Sequence, residues 1–331
     1  MNIIFSVLPV LIFLMVLNLL DSYKLVKINV IYKALLWGAI SSGLSYGFNF
    51  SLNIIFDFDF NIYIKFIAPF VEEIFKAAFI YYLIKKHRIG FMIDGAILGF
   101  SIGTSFALLE NIFYINELVT SNSFVWILRG FGTSIMHGGA TAIVAIITML
   151  HTTKKLKSTF AAILPGLLIG MLIHYFFNSF IISPLATSLI TFITVPVIIL
   201  ITFNISESML KKWLEIEFHT ESELLLAIKN GRFSITKAGQ YFNSIKDRFS
   251  SEIIVDLLCY IQIYLELSIK AKAVLMLNEL DIEYEKDESI KERIAEFKFL
   301  RKSIGKIGLI ALKPILRFSK RDLWKIHLLE D

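Results

Sequence analysis

The chain of 331 residues is 56% hydrophobic and 14% aromatic, with a formal net charge of +5 and one cysteine. Soluble domains average about 45–50% apolar residues, so this excess excludes an ordinary soluble enzyme with a wholly polar surface. The lone Cys259 excludes an intramolecular disulfide and any multi-cysteine metal centre.

In chain order, seven runs reach the roughly 20 residues that cross a bilayer core. They fall at 3–20, 31–55, 62–84, 89–115, 124–150, 159–182 and 185–204. The first lacks a basic start and a small-residue cleavage site, so it is expected to be an anchor rather than a removed signal peptide. Connections one, three and five carry Lys24 and Lys27, then Lys85, Lys86 and Arg88, then Lys154, Lys155 and Lys157. Connections two and four carry Asp57, Asp59 and Glu117, and Lys211 and Lys212 follow the last run. Basic residues gather on the cytoplasmic side of membrane proteins, which puts the N-terminus outside and the C-terminus in the cytoplasm of a multi-pass cell-membrane protein.

Residues 205–331 hold 21 of the 33 Lys+Arg and 20 of the 28 Asp+Glu. The expected organisation is a transmembrane domain at 1–204 and a cytoplasmic domain at 205–331. Within the latter, apolar residues recur at spacings of three and four over 251–280 and again around 290–304, the pattern of buried helices. Asp256, Gln262 and Glu266 argue that 251–280 is a core helix and not an eighth span. The stretch 304–321 is short, basic and apolar, which suits either the inner membrane face or a core helix broken at Pro314. Nearly cancelling charges in this region exclude bulk attraction to nucleic acid. With no nucleotide-binding loop and no metal-ligand cluster, the domain is expected to regulate or bind a cytoplasmic partner and to supply no catalytic residue. The fold class is an all-α polytopic membrane protein of about seven transmembrane helices with a C-terminal helical cytoplasmic domain.

Ionisable side chains at the centre of a span cost roughly 2.5–3.5 kcal/mol each, and here they cluster. The third run has Glu72, Glu73 and Lys76, the fourth Asp94 and Glu110, the fifth Arg129 and His137, the sixth His174 and Asn178. Residues four apart share a helix face, which relates Phe106 to Glu110, His174 to Asn178 and Glu72 to Lys76. Lys76 lies between the directions of the two glutamates, so it can neutralise one while the other points about 100° away. A neutralised pair beside a free carboxylate is a way to keep a buried acid competent as a base. At about 1.5 Å per residue, Glu72 and His137 fall about 15–20 Å below the outer surface, and Glu110 and His174 about 8–13 Å. Small residues in "LGFSIGTSFA" and "MHGGATA" let the helices approach closely. Asp94 sits near the cytoplasmic end, and Arg129 is placed to snorkel outward.

At these residues the sequence resembles the PrsW family of intramembrane proteases, related more distantly to the CAAX prenyl endopeptidases and the Abi/CPBP proteins. The shared pattern is EExxK (Glu72, Glu73, Lys76), FxxxE (Phe106, Glu110), a histidine on the next helix (His137) and HxxxN (His174, Asn178). It covers roughly residues 60–182. The prenyl endopeptidases carry EExxxR and FxxxH, so Lys76 and Glu110 favour the PrsW branch.

The resemblance implies proteolysis of single-span membrane proteins in the lipid bilayer. It also suggests anti-sigma-factor-like substrates and a stress response, since the founding member cleaves an anti-sigma factor. Depth places the cut near the extracytoplasmic membrane boundary. Peptide hydrolysis needs an activated water, an oxyanion stabiliser and a proton donor. Glu72 is expected to activate water while Lys76 holds Glu73, although the chemistry alone does not separate the two glutamates. His174 would orient the water or bind metal, and His137 and Asn178 would polarise the scissile carbonyl. Glu110 completes the catalytic set, with Lys76, Phe106 and Arg129 in support. Glu72, Glu110, His137 and His174 also make a two-histidine, two-carboxylate set suited to a divalent metal such as zinc, and a metal-free mechanism stays open beside it. Two other classes compete. A proton-coupled transporter uses buried Glu, His and Lys as relays but commonly shows two related halves, which are not evident here. A non-catalytic membrane scaffold would retain the cluster as a relic.

Overall fold

The computed structural model describes residues 12–16, 21, 23–117, 123–154, 159–179, 181–280, 282, 289–316, 324 and 328–329, without the side chains of 114–117, 123–129, 131 and 153–154. Among the described residues every regular element is helical and no strand occurs. An apolar chain in a bilayer has no water to satisfy its backbone, and a helix closes those hydrogen bonds within one segment. The chain divides into two compact units, Met1–Ser206 and Glu207–Asp331.

The first unit contains helices α1 (Ile28–Phe56), α2 (Ala68–Lys85), α3 (Met92–Glu117), α4 (Ser123–Lys154) and α5 (Thr159–Ser179), and the beginning of α6 (Pro184–Lys229). One α-helical turn, Phe60–Ile62, and a π-helical turn, Tyr63–Ile67, lead into α2. Among the described residues four segments are long and apolar enough to cross a membrane: Met92–Phe113, Gly132–Thr152, Thr159–Ser179 and Pro184–Lys229. These answer to four of the seven expected runs. The runs at 31–55 and 62–84 form α1 and α2, whose composition is less apolar. Serine, glycine and asparagine interrupt α1, and α2 carries Glu72, Glu73, Lys76 and Lys85. The run at 3–20 lies outside the described residues except for 12–16.

Glycines determine how these helices meet. Gly95, Gly99 and Gly103 lie four apart on α3 and face Ala145, Thr141 and His137 of α4. A Cβ on Gly103 would stand 2.1 Å from the His137 carbonyl oxygen, and one on Gly99 would stand 2.6 Å from that of Thr141. The two backbones therefore touch, and such approach without side chains is the usual route to tight packing of apolar helices. Gly166 of α5 does the same against the Val144 carbonyl of α4, where its Cβ would sit at 2.6 Å. Gly38 brings α1 onto the Ile102 carbonyl of α3, and the Trp37 indole donates to the Phe75 carbonyl of α2 at 3.0 Å. The outcome is a bundle in which α2, α3, α4 and α5 turn their polar positions toward one another.

Asp94 is buried at the entry to α3, where its carboxylate accepts from the backbone N–H groups of Gly90 and Phe91 at 2.9 and 3.1 Å. Those groups precede the first turn and lack helical partners, so the acid serves the helix end.

The second unit contains the remainder of α6 with α7 (Lys237–Ile245), α8 (Ser251–Glu279) and α9 (Ser289–Leu312). Leu257, Tyr260, Ile261 and Tyr264 of α8 pack with Phe297, Leu300 and Ile304 of α9, following the spacing read from the sequence. Lys272 is fully buried over the Trp213 ring and pairs with Glu221 at 2.7 Å and Glu217 at 3.4 Å. Gln262 donates to Glu266, which also faces Lys229 and Arg293, so α8 is a core helix whose polar residues find partners.

The glycine contacts set a prediction. Gly103→Ala pushes α3 off α4 and costs about 1–3 kcal/mol, in the range of overpacked cores. Gly43→Ala, whose Cβ would meet nothing within 4 Å, is neutral or slightly stabilising. Thermal unfolding of the two variants in detergent checks the contrast.

Candidate active site

Glu72, Glu73 and Lys76 lie in the first half of α2, where Pro69 is placed near the N-terminus. The π-helical turn just before it shifts the register of the chain, as π-bulges do at functional sites. Lys76 has no exposed side-chain surface, and its ammonium donates to Glu73 Oε1 at 2.6 Å. Its second contact is His137 Nδ1 at 2.8 Å, and its third is the face of Phe106, 4.6 Å from the ring centroid. One lysine from α2 is thus held by groups from α2, α3 and α4.

The network continues on both sides. His137 Nε2 lies 2.8 Å from Glu110 Oε2, and Glu110 is one quarter exposed while His137 is buried. His174 Nδ1 lies 3.0 Å from Glu73 Oε1, and its Nε2 lies 3.8 Å from Glu72 Oε2. The His137 and His174 rings meet edge to face at 4.6 Å. Hydrogen-bond logic assigns the ring protons. An ammonium can only donate, so His137 Nδ1 accepts and its Nε2–H donates to Glu110. The Glu73 carboxylate accepts from His174 Nδ1–H, which leaves the lone pair of Nε2 directed toward Glu72.

The two glutamates are therefore in different chemical situations. Glu73 is fully buried, and one of its oxygens receives both Lys76 and His174. Its other oxygen, Oε2, has no hydrogen-bond partner and lies 3.5 Å from where a Cβ on Gly170 would stand. Glu72 Oε2 is also buried without a hydrogen-bond partner, beside His174 Nε2. A buried carboxylate oxygen left unpaired is costly, and such a group commonly marks a site for a water, an ion or a substrate.

Ligand atoms of Glu72, His137 and His174 lie within 4.8 Å of one another, close enough to surround one cation. Glu72 and His174 fit zinc chemistry well, because a carboxylate behind a histidine, as Glu73 is here, commonly fixes the ligating nitrogen. His137 is a harder fit, since Lys76 and Glu110 engage both of its nitrogens. Glu110 stands outside this triad and is bonded to His137 Nε2.

Four of the elements named from sequence are thus in one network: EExxK on α2, FxxxE on α3, His137 on α4 and His174 on α5. Asn178 is directed elsewhere. Its amide donates to the Ile64 carbonyl at 3.3 Å, within the π-helical turn, and so ties α5 to the start of α2. Arg129 lies outside the residues whose side chains are described. Sequence reading passed over Ile64 and Gly170. A π-helical turn leaves no periodic trace in side chains, but the period-four glycines on α3 and α5 were a readable sign of backbone contact.

Lys76→Met follows as a test of the ion pair. It leaves Glu73 buried and uncompensated, at a cost of about 3–5 kcal/mol. Adding Glu73→Gln removes the stranded charge and restores most of the loss, as read from unfolding of the single and double variants in detergent.

A family model described as PrsW family intramembrane metalloprotease matches residues 27–202, just over half of the chain and all of the helices that build this site. No curated protein and no solved structure matches the chain.

Proposed function

The chain belongs to the PrsW family of intramembrane metalloproteases, and on that premise we propose that Glu72 is the base that activates water for peptide hydrolysis inside the membrane. One observation carries this assignment. Of two adjacent buried carboxylates, Glu73 is committed through one oxygen to Lys76 and His174 and turns its unpaired oxygen toward Gly170, while the unpaired oxygen of Glu72 lies beside His174 Nε2. A base must have a free lone pair within reach of the water it deprotonates, and Glu72 meets that requirement.

In this reading Glu73 and Lys76 are positioning residues. Glu73 holds His174 in one tautomer, and Lys76 keeps Glu73 ionised and His137 turned toward Glu110. His174 Nε2 then accepts from the same water that faces Glu72, orienting it for attack. Glu72, once it has taken the proton from water, is the group placed to return it to the leaving amine, and Glu110 fixes the His137 ring by accepting from its Nε2–H. His137, with both ring nitrogens engaged, links Lys76 to Glu110 and positions them. Asn178, engaged with Ile64, keeps the head of α2 in place. Glu72 and His174 would hold a divalent cation, with His137 able to join them only by giving up its contact with Lys76 or Glu110, and such a cation when bound would supply Lewis acidity and a more acidic water.

The substrate class follows from where the site lies. Family membership makes the partner a membrane protein in the lipid bilayer. A span that unwinds in the outer half of the membrane would expose its scissile bond at the depth of Glu110 and His174. We place the N-terminus outside and the C-terminus in the cytoplasm, with cuts near the extracytoplasmic boundary of single-span proteins. Stress signalling through an anti-sigma-factor-like substrate is the physiological setting this reading favours. The second unit is assigned to regulation or partner binding, with no catalytic residue.

The reading predicts that Glu72→Gln and His174→Ala each lower cleavage of a single-span peptide by at least about 10²-fold, the lower range of general-base contributions. Both variants insert normally, since neither adds a buried charge and Glu72→Gln replaces an ionisable group with a neutral one. Asp94→Asn, which keeps an accepting oxygen at the entry to α3, changes cleavage little. A Glu72→Gln protein with near-normal turnover would remove Glu72 from the role of base. Chelation by a strong zinc ligand, reversed by added zinc, separates a cation-dependent from a cation-free reaction in the same assay.

A further inference from the structure

Helix α9 changes character along its length. Its first half mixes charges, with Arg293 paired to Glu296 at 3.2 Å. From Lys298 to Leu316 there are five basic residues, Lys298, Arg301, Lys302, Lys306 and Lys313, and no acid. The same stretch exposes large apolar side chains. Phe299, Ile307 and Ile310 are 70, 75 and 71% exposed, as open as the most exposed side chains of the membrane-spanning unit.

The backbone is arranged to present them. Gly305 has φ +61° and ψ −169°, a conformation outside the helix that side-chain-bearing residues rarely adopt. A Cβ there would meet nothing within 4 Å, so the glycine serves conformation and not close packing. Beyond this kink Gly308 and Leu312 stay in the core, and Ile307 and Ile310 project outward with Lys306 and Lys313 beside them. Apolar tips ringed by lysine match the interface of an anionic bilayer, where basic groups meet headgroup charge and apolar groups enter the acyl boundary. The chain also reaches this unit from the apolar start of α6, without a Gly-rich linker. A covalent tether to the membrane raises the effective concentration of lipid, so a small patch suffices.

We propose that the exposed residues from Phe299 of α9 to Lys313, just beyond its end, form a docking surface for anionic phospholipid headgroups. Contact there is reversible and sensitive to ionic strength, and it holds this part of the second unit against the bilayer.

The test uses the full chain in lipid nanodiscs, with Cys259→Ser and Ile307→Cys carrying a nitroxide. Power-saturation electron paramagnetic resonance compares collision with membrane-soluble oxygen and with a water-soluble nickel complex. In discs of phosphatidylcholine with one third phosphatidylglycerol, the oxygen-to-nickel ratio is expected to rise severalfold over phosphatidylcholine alone. High salt, or Lys302→Glu with Lys306→Glu, returns it to the neutral-lipid value. A label that stays water-exposed in anionic discs overturns the proposal. So does equal burial in both lipids, which assigns the patch to packing within the protein. Shielding only on addition of polyglutamate, and not by lipid, assigns it to an acidic protein partner and overturns it as well.

Discussion

The Lys76 ammonium has no exposed surface, and the rest of the site is arranged around that fact. A lone cation in such a place would be very costly, and it persists because Glu73, His137 and the Phe106 face enclose it. Each of these contacts reaches a different helix or fixes a different proton. Glu73, neutralised by Lys76, is free to orient His174; His137, capped on Nδ1, is left to face Glu110. The second carboxylate, Glu72, is spared from structural duty. A single buried charge thus divides two neighbouring glutamates into one bound to Lys76 and His174 and one whose buried oxygen has no hydrogen-bond partner.

The ion pair in turn depends on backbone contact between helices. Lys76 reaches His137 only because α4 is close, and α4 is close to α3 and α5 because glycines face carbonyl oxygens at Gly99, Gly103 and Gly166. Side chains of even one carbon at these places would separate the helices by more than a hydrogen bond tolerates. The polar network and the small-residue packing are therefore one structural feature. Each stabilises the other, because hydrogen bonds between helices and close van der Waals contact are the main attractions left inside lipid.

Much of this was legible in the sequence, for reasons that differ by element. The clustering of ionisable residues on four successive runs followed from their cost in a bilayer, and helical spacing placed Lys76 within reach of either glutamate. Which glutamate it holds is a tertiary matter, decided by His174 arriving from α5. The pairing of His137 with Glu110 likewise joins two helices and has no local signature. Asn178 illustrates the limit of a motif: its spacing from His174 puts both on one face, but its partner is the Ile64 carbonyl, released by a π-helical turn that side-chain periodicity does not reveal. In the second unit, the recurrence of apolar residues gave α8 and α9 directly, and the change of direction at Gly305 required the backbone.

The central claim is that the two site histidines are held in opposite tautomers by one buried ion pair. Nitrogen-15 chemical shifts of ring-labelled histidine in the detergent-solubilised protein test this most directly, with the two signals assigned by His137→Gln and His174→Gln. The account predicts a proton on Nδ1 of His174 and on Nε2 of His137, with the opposite nitrogen of each ring unprotonated. Matching tautomers, or a His137 ring that carries its proton on Nδ1, would contradict it.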